Sequence, residues 1–203
     1  MRTLLLALMI GTLAVPALAQ PVSFETPLVK GGCRFIDDDG EVGHFALKRC
    51  PGLDGAWVYT EAGVHTVGLY FQWGRQKYQG TVIKSDSLGL KLEWRGIGSK
   101  AAFKPYATIV TAVIKNVDRS GENEKRYNVL AVMRMEKRNA CLMALIDEAG
   151  NKNALALARS TADAEAPKFS CAKDKPLIVG EPSYWAQQVI GFGDENETEK
   201  EPD

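Results

Sequence analysis

The sequence predicts a mainly β, or α+β, protein: an antiparallel sheet folded on itself as a sandwich or a partly closed barrel, with one helix near 153–166 and a short C-terminal helix. Three observations carry this expectation. Short apolar runs follow one another between turn residues, without the alternating helices that a parallel sheet requires. Residues 88–95 alternate strictly, Leu88, Leu90, Leu92 and Trp94 against Gly89, Lys91, Glu93 and Arg95, which is the period that places one set on each face of a sheet. Only one long segment, 154–166, is rich in good helix formers.

The first nineteen residues read as an address. Arg2 supplies a positive start, residues 3–15 are apolar, and Pro16-Ala17-Leu18-Ala19 ends in the small-x-small pattern cleaved before Gln20. The apolar run is well short of the roughly 20 residues a spanning helix needs, so no membrane span is expected after cleavage. Gln20 stands where a lipoprotein would carry its acylated cysteine, so no lipid anchor is expected. The body, 20–193, has the length of one domain able to bury its own core.

Cys33-Arg34-Phe35-Ile36 opens the body as a strand, Asp38-Asp39-Gly40 turns it, and 42–47 returns as a hairpin partner. A turn-rich link, 51–55, leads to strands at 56–60 and 64–72, then at 80–84 and 88–95. Strands at 106–117 and 126–135 flank a polar loop, and 141–146 is an apolar run of central-strand character. Asn153 is placed to cap the helix over 154–166 and Pro167 to stop it, with Arg159 and Asp163 spaced for a pair along its surface. A second helix is expected over 183–190.

The formal charge of zero is split. The tail, 194–203, holds Asp194, Glu195, Glu197, Glu199, Glu201 and Asp203 against Lys200, a composition that favours disorder, and leaves a body of about +4. That body is mixed in sign rather than striped with bases, which argues against nucleic-acid binding.

Four cysteines remain after the leader: Cys33, Cys50, Cys141 and Cys171. In an oxidising compartment an even set reads as disulfides. Three pairings are possible, and locality favours Cys33 with Cys50 and Cys141 with Cys171. Their single spacing argues against zinc.

Catalytic signatures are scarce. No Gly-x-Ser-x-Gly elbow is present, and paired cysteines leave no thiol nucleophile. His44 and His65 both fall in predicted strands, and parity puts His65 with Val67, Leu69 and Phe71, the surroundings of a half-buried packing residue. Asp37-Asp38-Asp39-Gly40 lacks the alternate oxygen ligands of a calcium loop and reads as a charged hairpin turn. No metal or cofactor is expected. Glu93 is the least ordinary carboxylate for a glycan-cleaving site, although its parity with Lys91 and Arg95 predicts a surface ion pair.

Trp57, Tyr59, Tyr70, Phe71, Trp73, Tyr78 and Trp94 crowd one part of the chain. Aromatic side chains fill cores, and they also hold sugars and peptides when polar groups lie between them. Trp73 stands in the polar stretch 72–77, so Trp73, Arg75 and Tyr78 form the predicted contact set.

Arg49-Cys50-Pro51-Gly52 with 57–71, Leu92-Glu93-Trp94-Arg95 with Phe103-Lys104-Pro105-Tyr106-Ala107, and 151–163 with Phe169-Ser170-Cys171 and Asp174-Lys175-Pro176 span most of the body. In that order the three stretches resemble an uncharacterised group of exported proteins of Gram-negative bacteria, particularly alphaproteobacteria. The resemblance implies periplasmic or secreted placement and paired cysteines, and it transfers no catalytic residue. The expected function is a non-catalytic periplasmic binding or accessory protein of the cell envelope, with an envelope ligand or a periplasmic protein as partner. The alternative is a carboxylate-dependent hydrolase of envelope polymers.

Overall fold

The computed structural model describes residues 20–29, 31–37, 47–117, 123–136, 139–181 and 184–189. The stretches read as the leader, the acidic tail, the Asp38-Asp39-Gly40 turn and residues 42–46 of the predicted hairpin partner, His44 among them, lie outside these residues. Among the described residues the chain forms β1 (Val22–Pro27), β2 (Arg34–Asp37), β3 (Leu47–Pro51), β4 (Ala56–Ala62), β5 (Val67–Trp73), β6 (Gln79–Ile83), β7 (Ser87–Ile97), β8 (Lys104–Val117), β9 (Glu124–Glu136) and β10 (Asn139–Asp147). Helix α1 (Ala154–Glu165), the two-residue β11 (Leu177–Ile178) and helix α2 (Tyr184–Val189) complete it.

These strands make two sheets, in the orders β1-β7-β8-β9-β10-β11 and β2-β3-β4-β5-β6. Neighbours are antiparallel except β10 and β11, whose parallel pairing the turn-and-strand pattern did not foretell. The protein is a β sandwich, and of the two predicted forms the barrel is not closed. Val58, Leu69, Phe71 and Ile83 of the smaller sheet face Leu92, Trp94, Val110, Met133 and Leu145 of the larger, and burial of these side chains holds the sheets together.

A second core lies on the other side of the six-stranded sheet. There Ala154, Ala158, Ala162 and Ala166, spaced four apart, give α1 a narrow apolar stripe that approaches Ala107, Ile109, Leu130, Val132 and Ile146 closely. Asn153 precedes the helix as predicted, but its side chain makes no capping hydrogen bond. Disulfides join Cys33 to Cys50 and Cys141 to Cys171, the pairing that locality favoured. The first ties the segment before β2 to β3. The second ties β10 to the chain beyond α1, so the helix layer is fastened covalently as well as by packing. Chain-entropy arithmetic gives each bridge roughly 3–4 kcal/mol.

Three strand readings need correction. The segment predicted as 64–72 begins at Val67, because Val64 and His65 form the turn after β4 and His65 takes φ of 60°. His65 is therefore on the surface, not packed in a strand. The strict alternation in 88–95 also breaks: β7 spends two more residues than β8 between the Leu88–Ala112 and Leu92–Val110 pairs, and this irregularity turns Leu90 out to solvent. Glu93 and Arg95, read as a surface pair, are buried beneath α1.

Candidate functional site

Strand parity sorts the crowded aromatics into two sets. Along β5, Leu69, Phe71 and Trp73 point into the sandwich, while Tyr70 and Gln72 point away from it. Along β4, Val58 points in, whereas the register pairs Trp57 with Gln72 and Tyr59 with Tyr70 on the opposite face. The outer face of the five-stranded sheet thus carries Trp57, Tyr59 and Tyr70 in adjacent rows, with Arg49 brought beside Tyr59 by β3. None of the described helices packs on this face. The corresponding face of the larger sheet is covered by α1.

At one end of the open face, the Arg49 guanidinium lies 4.5 Å from the centre of the Trp57 ring, a cation–π contact. The Tyr59 hydroxyl donates to Gln72 Oε1 at 2.7 Å, and Gln72 Nε2 donates to the carbonyl of Gln76 at 2.8 Å, so the amide is fixed. Tyr78, on the link between β5 and β6, leans over Tyr59 with ring centres 4.4 Å apart. Tyr59 is consequently buried although it is on the outer face, and that burial, with Tyr78 alongside, pushes its phenol pKa up. Trp57 is 39% exposed and Tyr78 49%, so both present ring surface to a ligand.

The face continues toward the far end of β4, where Glu61, Gly63, Thr66, Gly68, Tyr70 and Val82 line a shallow groove of about 220 Å³. Gly68 makes room for the Tyr70 ring: a Cβ there would stand 2.3 Å from Tyr70 Cε2. Burial and the neighbouring Glu61 carboxylate both raise the Tyr70 pKa, so the phenol stays protonated and able to donate. Glu61 stands four positions along β4 from Trp57, about 13 Å at the usual strand rise.

Of the predicted contact set, Tyr78 belongs to this cluster and Arg75 is exposed on the turn beside it. Trp73 does not belong. It is buried against Phe71, with ring centres 6.2 Å apart, and its indole nitrogen has no hydrogen-bond partner. Trp73 is the last residue of β5, on the same parity as Leu69 and Phe71, and the polar stretch starts only after the chain has left the sheet. Trp57, Arg49 and Gln72 were not in the predicted set. Counting parity along the two strands from Val58 and Phe71 would have put Trp57 and Gln72 outside.

Glu93 and Arg95 have a different role. Arg159 of α1 donates to both oxygens of Glu93, from Nε at 2.8 Å and Nη2 at 3.0 Å, and Ser23 Oγ also donates to this carboxylate. Arg95 forks onto Asp163 of α1 through Nε at 3.0 Å and through Nη2, and its Nη1 donates to Ser23 Oγ at 2.7 Å. The Tyr106 hydroxyl donates to Asp163 as well, and burial next to that carboxylate moves the Tyr106 pKa well above the usual tyrosine range. Arg159 and Asp163, expected to pair along the helix, each reach down to the sheet instead. Every carboxylate oxygen here accepts from a guanidinium or a hydroxyl, so the group acts as a clamp that sets the register of α1 on the sheet.

His65 pairs with Asp86, Nδ1 to Oδ1 at 2.7 Å, in the turn region at the other end of β4 from Trp57. Among the described residues no three His, Cys, Asp or Glu side chains converge to hold a metal ion. No described helix is long and apolar enough to cross a membrane.

Comparison with protein-family models, with curated proteins and with solved structures finds no match to this chain.

Proposed function

We propose that the protein is exported through its cleaved leader, oxidised outside the cytoplasm, and serves there as a non-catalytic binding or accessory protein of the cell envelope. Its ligand on this reading is a glycan strand laid along the outer face of the five-stranded sheet. The observation that carries the reading is the open row running from Trp57 and Tyr78 to Tyr70 and Glu61. A sugar ring has an apolar face of C–H groups and a rim of hydroxyls. Exposed aromatic rings suit the first, and Arg49, Gln72 and Glu61 supply donors and acceptors for the second. Two disulfides support placement in an oxidising compartment.

Co-sedimentation with purified murein sacculi tests this. The oxidised protein is expected to sediment with the sacculi, and Trp57→Ala and Tyr78→Ala are each expected to weaken binding about tenfold, the scale of a central aromatic contact. Both side chains are substantially exposed, so the melting temperature of each variant should stay within a few degrees of the parent. Binding that is absent, or unchanged in both variants, overturns the proposal.

A further inference from the structure

We propose that the glycan taken by the open face is an acidic one, and that Arg34 and Arg49 together receive a carboxylate carried on the sugar ring that stacks at Trp57. This names the ligand class of the glycan face and rests on that reading.

The two arginines stand directly opposite each other, Arg34 on β2 and Arg49 on β3, and the register continues their row to Tyr59 and Tyr70 on the same outer face. Like charges directly opposite across a strand pair disfavour folding. The chain nevertheless fixes them there. Cys33 precedes Arg34, Cys50 follows Arg49, and the disulfide between those two cysteines holds the arginine positions in register. Strands β2 and β3 together carry Arg34, Lys48 and Arg49 against one acid, Asp37, at the far end of β2. Among the described residues neither guanidinium has a carboxylate within ion-pair distance. Lys48 has the opposite parity, with its Nζ 5.0 Å from the centre of the Phe35 ring, so the arginine pair supplies the positive charge of this face.

Charge on an edge strand ordinarily discourages pairing with another chain, and that accounts for Arg34, exposed on the edge strand β2. It does not account for Arg49, which is half-buried on an inner strand with its guanidinium over an indole. Guanidinium groups stack on aromatic faces and still fork onto carboxylates, a geometry that an ammonium group does not match.

The place of the acid on the ligand follows from the 4.5 Å between Arg49 and the Trp57 ring. A sugar stacked there meets the guanidinia only with a carboxylate on a short substituent of its own ring. In murein this group is the lactyl carboxylate of N-acetylmuramic acid, ionised where no stem peptide is attached. The groove end of the face has the opposite polarity, because Glu61 lies there beside Tyr70. An acid is repelled at that end and hydroxyl or amide donors are accepted, so the face orients an acidic strand in one direction.

The test titrates the oxidised, isotope-labelled protein, read at the Trp57 indole N–H, with three probes: a murein tetrasaccharide free of stem peptides, its lactyl methyl ester, and the tetrasaccharide bearing stem peptides, where that carboxyl is an amide. The free acid is expected to bind at least about fivefold tighter than either of the others, the scale of a charge-assisted fork in contact with water. Arg34→Gln, at an exposed position, should leave the melting temperature within a few degrees of the parent and bring the acid-to-ester affinity ratio below about twofold. Arg49→Gln should lower that ratio equally. Saturating binding with equal affinity for acid and ester, an unchanged ratio in either variant, or a stem-bearing form that binds as tightly as the free acid overturns the acidic ligand and leaves the glycan reading standing. A Trp57 signal that moves with none of the three overturns both.

Discussion

Trp94→Ala is expected to destabilise the protein by about 3–5 kcal/mol, the usual cost of emptying a core position of a large aromatic. For a chain of this size that lowers the melting temperature by roughly 10 °C. Trp94 is fully buried at the centre of the inter-sheet core, set edge-on to Phe71 with ring centres 5.6 Å apart. Its indole nitrogen donates to Thr26 Oγ1 at 2.9 Å, so the substitution also strands a buried hydroxyl on β1. Thermal unfolding of the oxidised protein followed by circular dichroism measures this. A drop under 2 °C would mean the two sheets are not packed across Trp94.

Arg95→Ala is the second large effect, expected at about 3 kcal/mol, because removing one partner of a buried pair leaves the other charge without compensation. Asp163 is partly exposed, and water reaching it keeps the figure at the lower end of the range for buried pairs. The two substitutions differ in where they loosen the molecule. Trp94→Ala acts between the sheets, whereas Arg95→Ala releases Asp163 and Tyr106 and should raise hydrogen exchange along α1 while β4 and β5 keep their protection. Uniform loss of protection, or none, would contradict a clamp specific to the helix.

The fold was largely legible because its signals are local. Alternation in 88–95, the turn residues between strands and the alanine-rich segment before Pro167 each depend on a few neighbouring residues, and β4 to β10 and α1 are present close to where these signals put them. What covers a face is not local. The parity that put Glu93 and Arg95 together was right, but their partners Arg159 and Asp163 lie more than sixty residues away, and no pattern near β7 announces that a helix will cover its charged side. His65 is hard to place from sequence because Val64 extends the apolar pattern of β5 back into the turn; Gly63 marks that turn, and the left-handed residue follows it. Trp73 was misread from its polar neighbours when parity with Leu69 and Phe71 already placed it inside. The outer aromatic face could have been assembled from the same count, except that the pairing of β3 to β4, which delivers Arg49, is a tertiary fact.

The chain has four tryptophans, and their indole N–H signals report four places: Trp57 on the open sheet face, Trp185 on α2, and Trp73 and Trp94 in the core. Titrating the oxidised, isotope-labelled protein with a soluble murein oligosaccharide should move the Trp57 signal along a saturating curve and leave those of Trp73 and Trp94 in place. A Trp57 signal that stays put at saturating oligosaccharide, or that shifts no more than the two core indoles, would contradict a glycan-binding role for that face.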